Sequence, residues 1–199
     1  MIVKTFAKGI KHLPHRKTAT AAKPVETVPL PPEMVLPLSQ HTGAEAEPLV
    51  SKGEQVEKGQ KIAAVKEGLG VPLHTPVTGK VKAVEPRWHY SGVKMLSIVI
   101  EPSDQQPAAA KKLENFTGRF AQPSPEEVRQ LVKEAGLVGL GGAAFPTYVK
   151  LTPPPDAEID SVIVNGCECE PYLTADHRLM LEEPEAILAG IKIIMQTVG

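Results

Sequence analysis

The stretch GLGGAAFPTYVKL, Gly139 to Leu151, sets Gly139, Gly141 and Gly142 ahead of Phe145, Pro146 and Lys150. Glycine lets backbone amides come close to a ligand, so the stretch has two readings: a tight connection between helices, or a place where backbone approaches a phosphate. It is not a P-loop, because no G-K-[ST] closes it. Nor is it the G-x-G-x-x-G fingerprint, because it follows a helical pattern rather than a strand. A second stretch, NGCECEPYLTADHRLM, Asn165 to Met180, concentrates Glu168, Glu170 and Asp176, more acids than a simple turn needs. In an extended loop Glu168 and Glu170 point together and would suit hydroxyls or an amide on a sugar or ring better than a phosphate. His177 and Arg178 read as structural partners of these acids, and no residue reads as a catalytic acid, base or nucleophile. Cys167 and Cys169 fall short of the four thiolates an all-cysteine iron–sulfur cluster takes, so they read as unremarkable thiols and no metal site is expected.

These stretches need elements to hold them. Ser124, Pro125 and Glu127 form a helix start with a capping box, and Val128, Leu131, Val132 and Ala135 fall on one stripe before Gly136 ends the helix. The glycine stretch follows at once. TYVKL suggests a short helix, SVIVNG reads as a buried strand of the parallel-sheet kind, and PEAILAGIKIIMQTV is a helix with Ile187, Ile191 and Ile194 on one face. This pattern makes 124–199 an α/β layer, with the acidic stretch at the carboxyl end of a strand, where open α/β sheets place ligands. Before it, 102–123 reads as a Pro, Ala, Gln and Lys rich linker.

Residues 28–101 have a different grammar. Short Val, Ile and Leu rich runs are separated by glycines at 43, 53, 59, 68, 70, 79 and 92, an all-β pattern. PLVSKGEQVEKGQKIA followed by HTPVTGKV resembles the barrel-sandwich hybrid fold of biotinyl and lipoyl carrier domains, two similar halves closing a flattened barrel. Carriers present a modifiable lysine at the hairpin tip between the halves. Here that tip is KEGLGVP, and Lys66 lacks the flanking methionines of a biotinyl site and the acidic neighbour of a lipoyl site. A swinging-arm role is disfavoured, because a fold can be borrowed without its function.

Composition limits the function classes. Of 199 residues, 42% are hydrophobic and 23% charged, ordinary for a globular protein, and a net charge of -1 offers no general attraction to nucleic acid. The segment 1–27 forms a basic arm with Lys4, Lys8, Lys11, Arg16, Lys17 and Lys23, read as a solvated arm or a docking patch. Met1 to His12 shows no apolar core of a secretory signal, and no uninterrupted apolar run nears bilayer length, since Lys192 interrupts AILAGIKIIM. A cytoplasmic protein is expected, reaching a membrane only through partners.

LVGLGGAAFPTYVKL, VNGCECEPYLTADHRLMLEEPE and the upstream LPLSQHTGAEAEPLVSKGEQVEKGQ together resemble the C subunit of Rnf-type electron transport complexes, over nearly the whole chain. The first two motifs are also similar to those of the NADH-binding flavoprotein subunit of respiratory complex I. The resemblance implies an α+β multidomain protein: an all-β barrel-sandwich hybrid followed by the start of an α/β FMN- and NADH-binding domain. It implies that Gly139, Gly141, Gly142 and Ala143 line FMN, that Phe145 walls the flavin or nicotinamide ring, and that Lys150 favours the phosphate or the flavin N1 side. Asn165 would bond the flavin, Glu168 matches the family in type, and Glu170 would meet the nicotinamide end of NADH. Leu140 and Cys167 depart from the family's arginine and aspartate. The implied activity is hydride transfer between NADH and FMN within a ferredoxin:NAD+ oxidoreductase that moves ions. Electrons would pass on to 4Fe-4S clusters expected only in a longer form, with ferredoxin an indirect partner. The implied location is the inner face of the cell membrane, held there by the other subunits of the complex. The chain is then expected to be the amino-terminal portion of a longer protein. Two rivals stay open: a docking scaffold without flavin, and a soluble NADH-dependent protein feeding a cytoplasmic reductase.

Overall fold

The structure is a computed structural model that describes residues 16–107 and 123–199. Lys4, Lys8 and Lys11 of the basic arm, and most of the expected linker, lie outside the described residues. The chain divides into two compact units. One gathers the described residues of Val28–Asp160 and Ile193–Gly199, the other those of Met1–Thr27 and Ser161–Lys192.

In the first unit the glycine-punctuated segment builds two antiparallel sheets. β1 (Met34–Pro37), β7 (Lys94–Pro102), β6 (Gly79–Trp88) and β3 (Gln55–Val56) form one sheet in that order. The other holds β2 (Glu47–Pro48), β4 (Lys61–Ala64) and β5 (Leu73–His74). Turns at Gly53 and Gly59 reach across: Gly53 N–H donates to Val81 O and Gly59 N–H to Thr75 O, each at 2.8 Å. The two sequence halves thereby interlock. Alternation along the start of β6 buries Gly79 and Val81 and exposes Lys80 and Lys82, the period of a half-buried strand. Leu38, Val56, Ile62, Val81, Ile98 and Ile100 fill the space between the sheets. Ser103 N–H and Gln106 Nε2 both donate to Thr78 O, so the first residues after β7 run along the barrel.

The β6–β7 ribbon pairs from Gly79 with Pro102 out to Trp88 with Lys94. It ends in an exposed turn where Trp88 is 73% accessible and Lys94 Nζ sits 5.6 Å from its ring centroid.

α1 (Pro125–Glu134) begins as expected. Ser124 Oγ accepts from Glu127 N–H at 3.3 Å while Glu127 Oε2 accepts from Ser124 N–H at 2.7 Å. Of the expected stripe Val128 is buried, whereas Leu131 is exposed. Glu134 near the helix end ion-pairs with Lys61 of β4, binding α1 to the barrel. Lys61 holds the Glu134 carboxyl below its usual range. α2 (Thr147–Lys150) is the expected short helix.

In the second unit a 3-10 turn at Lys17–Ala19 accompanies α3 (Ala175–Glu182), and α4 (Pro184–Val198) runs from this unit into the last residues of the first. The expected strand at SVIVNG does not form. Residues 161–166 pair with no described strand, and Ile163 is 92% exposed. An apolar run becomes a strand only beside a partner that takes up its N–H and C=O groups. Among the described residues, no helix is long and apolar enough to cross a membrane.

Candidate functional site

The glycine stretch is a closed loop between α1 and α2. Val138 and Pro146 bridge its base, Gly139 N–H donates to Phe145 O at 2.9 Å, and Thr147 N–H donates to Leu137 O at 3.0 Å. At its apex Leu140, Gly141, Gly142 and Ala143 are exposed or half-exposed, and their four amides donate no hydrogen bond to the described residues. Phe145 is half-buried behind them. Lys150, one α2 length away, turns its ammonium back over the loop. A Cβ on Gly139 would meet Lys150 Nζ at 2.5 Å, so this glycine is what allows the approach. Unpaired amides beside an ammonium make an anion-accepting arrangement. The loop's donors therefore fit a phosphate-bearing group such as FMN.

The loop is anchored through a residue that the motifs did not mark. Thr42, in the turn after β1, donates from Oγ1 to Ala143 O at 2.5 Å and from N–H to Ala144 O at 3.1 Å. No local signal identifies it, since the contact spans 101 positions.

The acidic stretch lies in the second unit and lines an open cleft of about 620 Å³ with Lys17, Thr174, His177 and Met180. Asn165 Oδ1 accepts from Cys167 N–H at 2.9 Å, which bends the chain where the extended reading kept it straight. Glu168 lines this cleft together with Glu170. Its Oε1 accepts from His177 N–H at 3.0 Å, in the first turn of α3, where Thr174 supplies no side-chain cap. That N–H holds the Glu168 carboxyl below the usual range. Its other oxygen, Oε2, is buried with no donor among the described residues, an acceptor left for a hydroxyl or amide. Glu170 is exposed and has no protein partner among the described residues. Arg178 pairs with Glu182, at 2.6 Å, rather than with the loop acids, so only His177, and only through its backbone, serves them. Cys167 and Cys169 are free and exposed, and the described residues hold no metal-binding cluster.

A two-sheet flattened barrel whose halves interlock, followed by a helix, a glycine loop with free amides and an acidic cleft, defines a barrel-sandwich hybrid joined to a segment able to accept an anion. Comparison with known proteins makes this specific. Residues 4–105, just over half of the chain, match the RnfC barrel sandwich hybrid domain, and residues 132–199 match the Nuo51 FMN-binding domain. The chain belongs to the RnfC family. It is 44% identical over 195 residues to the C subunit of the Na(+)-translocating ferredoxin:NAD(+) oxidoreductase complex of Acetobacterium woodii, covering 98% of this chain and 43% of that protein. It is 41% identical to the C subunit of the proton-translocating ferredoxin:NAD(+) oxidoreductase complex of Clostridium ljungdahlii, covering 98% of this chain and 42% of the relative. Identity is again 41% with the C subunit of the ion-translocating oxidoreductase complex of Rhodobacter capsulatus, over 96% and 37% of the two chains. The chain thus spans less than half the length of the relatives it matches.

Proposed function

We propose that this chain carries the flavin and nicotinamide sites of the C subunit of an ion-translocating ferredoxin:NAD+ oxidoreductase, with ferredoxin an indirect partner and the other subunits holding it at the inner face of the membrane. The observation that carries this reading is the glycine loop, whose four apex amides donate to no described residue and whose Gly139 has the Lys150 ammonium against it. Bound FMN supplies the exchange of hydride from NADH for single electrons, which would leave for 4Fe-4S clusters in a longer form of the protein.

The chain's own residues bind and orient. The amides of Gly141, Gly142 and Ala143, with Gly139 giving Lys150 room to approach, take the phosphate or the flavin N1 side, and Phe145 walls one ring face. Asn165, next in sequence to Gly166 of the acidic cleft, keeps its amide nitrogen for the flavin, since its Oδ1 accepts from Cys167 N–H. Glu168 Oε2 accepts from a hydroxyl or amide, and Glu170 meets the nicotinamide end of NADH. No side chain needs to move a proton, because hydride transfer depends on stacking and exclusion of water.

Titration of the protein with FMN, followed by flavin fluorescence, tests this. Lys150→Gln is expected to weaken saturable binding by about tenfold, the scale of one charge-assisted hydrogen bond. Glu170→Gln is expected to leave FMN binding intact and to abolish NADH-dependent bleaching. Wild-type affinity in Lys150→Gln would remove the loop from the site. A docking role without flavin is favoured by Leu140, 95% exposed where complex I has arginine, and a protein that takes up no FMN would select it.

A further inference from the structure

We propose that Thr42 is the positioning residue of the glycine loop, and that through it the barrel sets the shape in which the loop meets the flavin; this rests on the flavin reading above. Ala144 has φ 47°, left-handed backbone that a residue with a Cβ adopts only when its surroundings impose it. The two carbonyls that Thr42 engages, those of Ala143 and Ala144, belong to the peptide units on either side of that residue. In one planar peptide the C=O and N–H point opposite ways, so turning both carbonyls to Thr42 also fixes which way the amides of Ala144 and Phe145 face.

Thr42 is itself held by the barrel's hairpin tip. Gly43, at φ 128°, leaves room where any Cβ would overlap Leu69 O. Ala44 N–H donates to the same oxygen at 2.8 Å, and His41 Nε2 lies 3.1 Å from Val71 O. In carrier modules this tip presents the mobile group. Here it is tied to residues 41–44, and through Thr42 to the glycine loop. The chain of contacts runs from β4–β5 tip to turn to loop inside one compact unit.

The test compares Thr42→Val, which keeps the shape and removes the hydroxyl donor, with Thr42→Ser, which keeps the donor. FMN affinity is read by flavin fluorescence. Without FMN, hydrogen exchange is followed at the Gly139 and Thr147 amides that close the loop's base. Thr42→Val is expected to bind FMN about five- to tenfold more weakly, the scale of one hydrogen bond, and to exchange faster at both amides. Thr42→Ser is expected to restore both, which a bulk loss of packing would not. Wild-type affinity or unchanged exchange in Thr42→Val overturns the proposal while leaving the flavin reading standing. Absence of FMN binding by the unaltered protein defeats the flavin reading first, and the positioning role with it.

Discussion

Glu168 shows how one carboxylate serves two purposes. Oε1 closes the open first turn of α3 through His177 N–H, and Oε2 is buried with no hydrogen-bond partner among the described residues. The first contact lowers its pKa in the folded protein. A carboxyl so depressed adds stability above its unfolded value, about 4.3, and that stability is lost as pH falls through the folded value. Helicity followed by circular dichroism should therefore fall on acidification with a component that Glu168→Gln lacks. An acid limb identical in the two proteins would show that the cap contributes nothing. The sequence marked Glu168 by its crowding with Glu170 and Asp176, but not as a helix cap, because its partner lies beyond an irregular loop whose path only the folded chain defines.

Among elements, those with local codes were readable and those needing a distant partner were not. The capping box at Ser124 and Glu127 formed as written, and Ser124→Ala should cost about 1 kcal/mol in urea unfolding of the first unit. A change within experimental error would mean that the Lys61–Glu134 pair and tertiary packing hold α1 without its cap. The turns at Gly53 and Gly59 were likewise marked by residue type. SVIVNG failed for the opposite reason: its apolar run matches a strand, yet pairing is a property of two segments and this one has no described neighbour. Thr42 was invisible on the same ground, since a lone threonine in a turn carries no mark of a carbonyl 101 positions away.

At the scale of the molecule, stability rests on the barrel core. Ile98 is fully buried between the sheets, and Ile98→Ala should lower unfolding stability by about 2–5 kcal/mol, the range for deleting a large aliphatic side chain from a packed interior. Because residues 41–44 grow out of that barrel, the variant should also loosen the glycine loop before the barrel melts. Equal denaturation midpoints for Ile98→Ala and wild type would place the stabilising core elsewhere. Within 124–199 the described residues form helices and no sheet, and residues 132–199 match the Nuo51 FMN-binding domain, as the α/β expectation required.

The long β6–β7 ribbon has a spectroscopic consequence. It carries the chain's single tryptophan, Trp88, to an exposed tip, with the Lys94 ammonium against its ring and no part in the interior. At 73% exposure its emission is expected to be that of a hydrated indole already in the native state and to change little when the interior opens. Intrinsic fluorescence thus serves as a local reporter of whatever comes to cover that tip, and is nearly blind to unfolding.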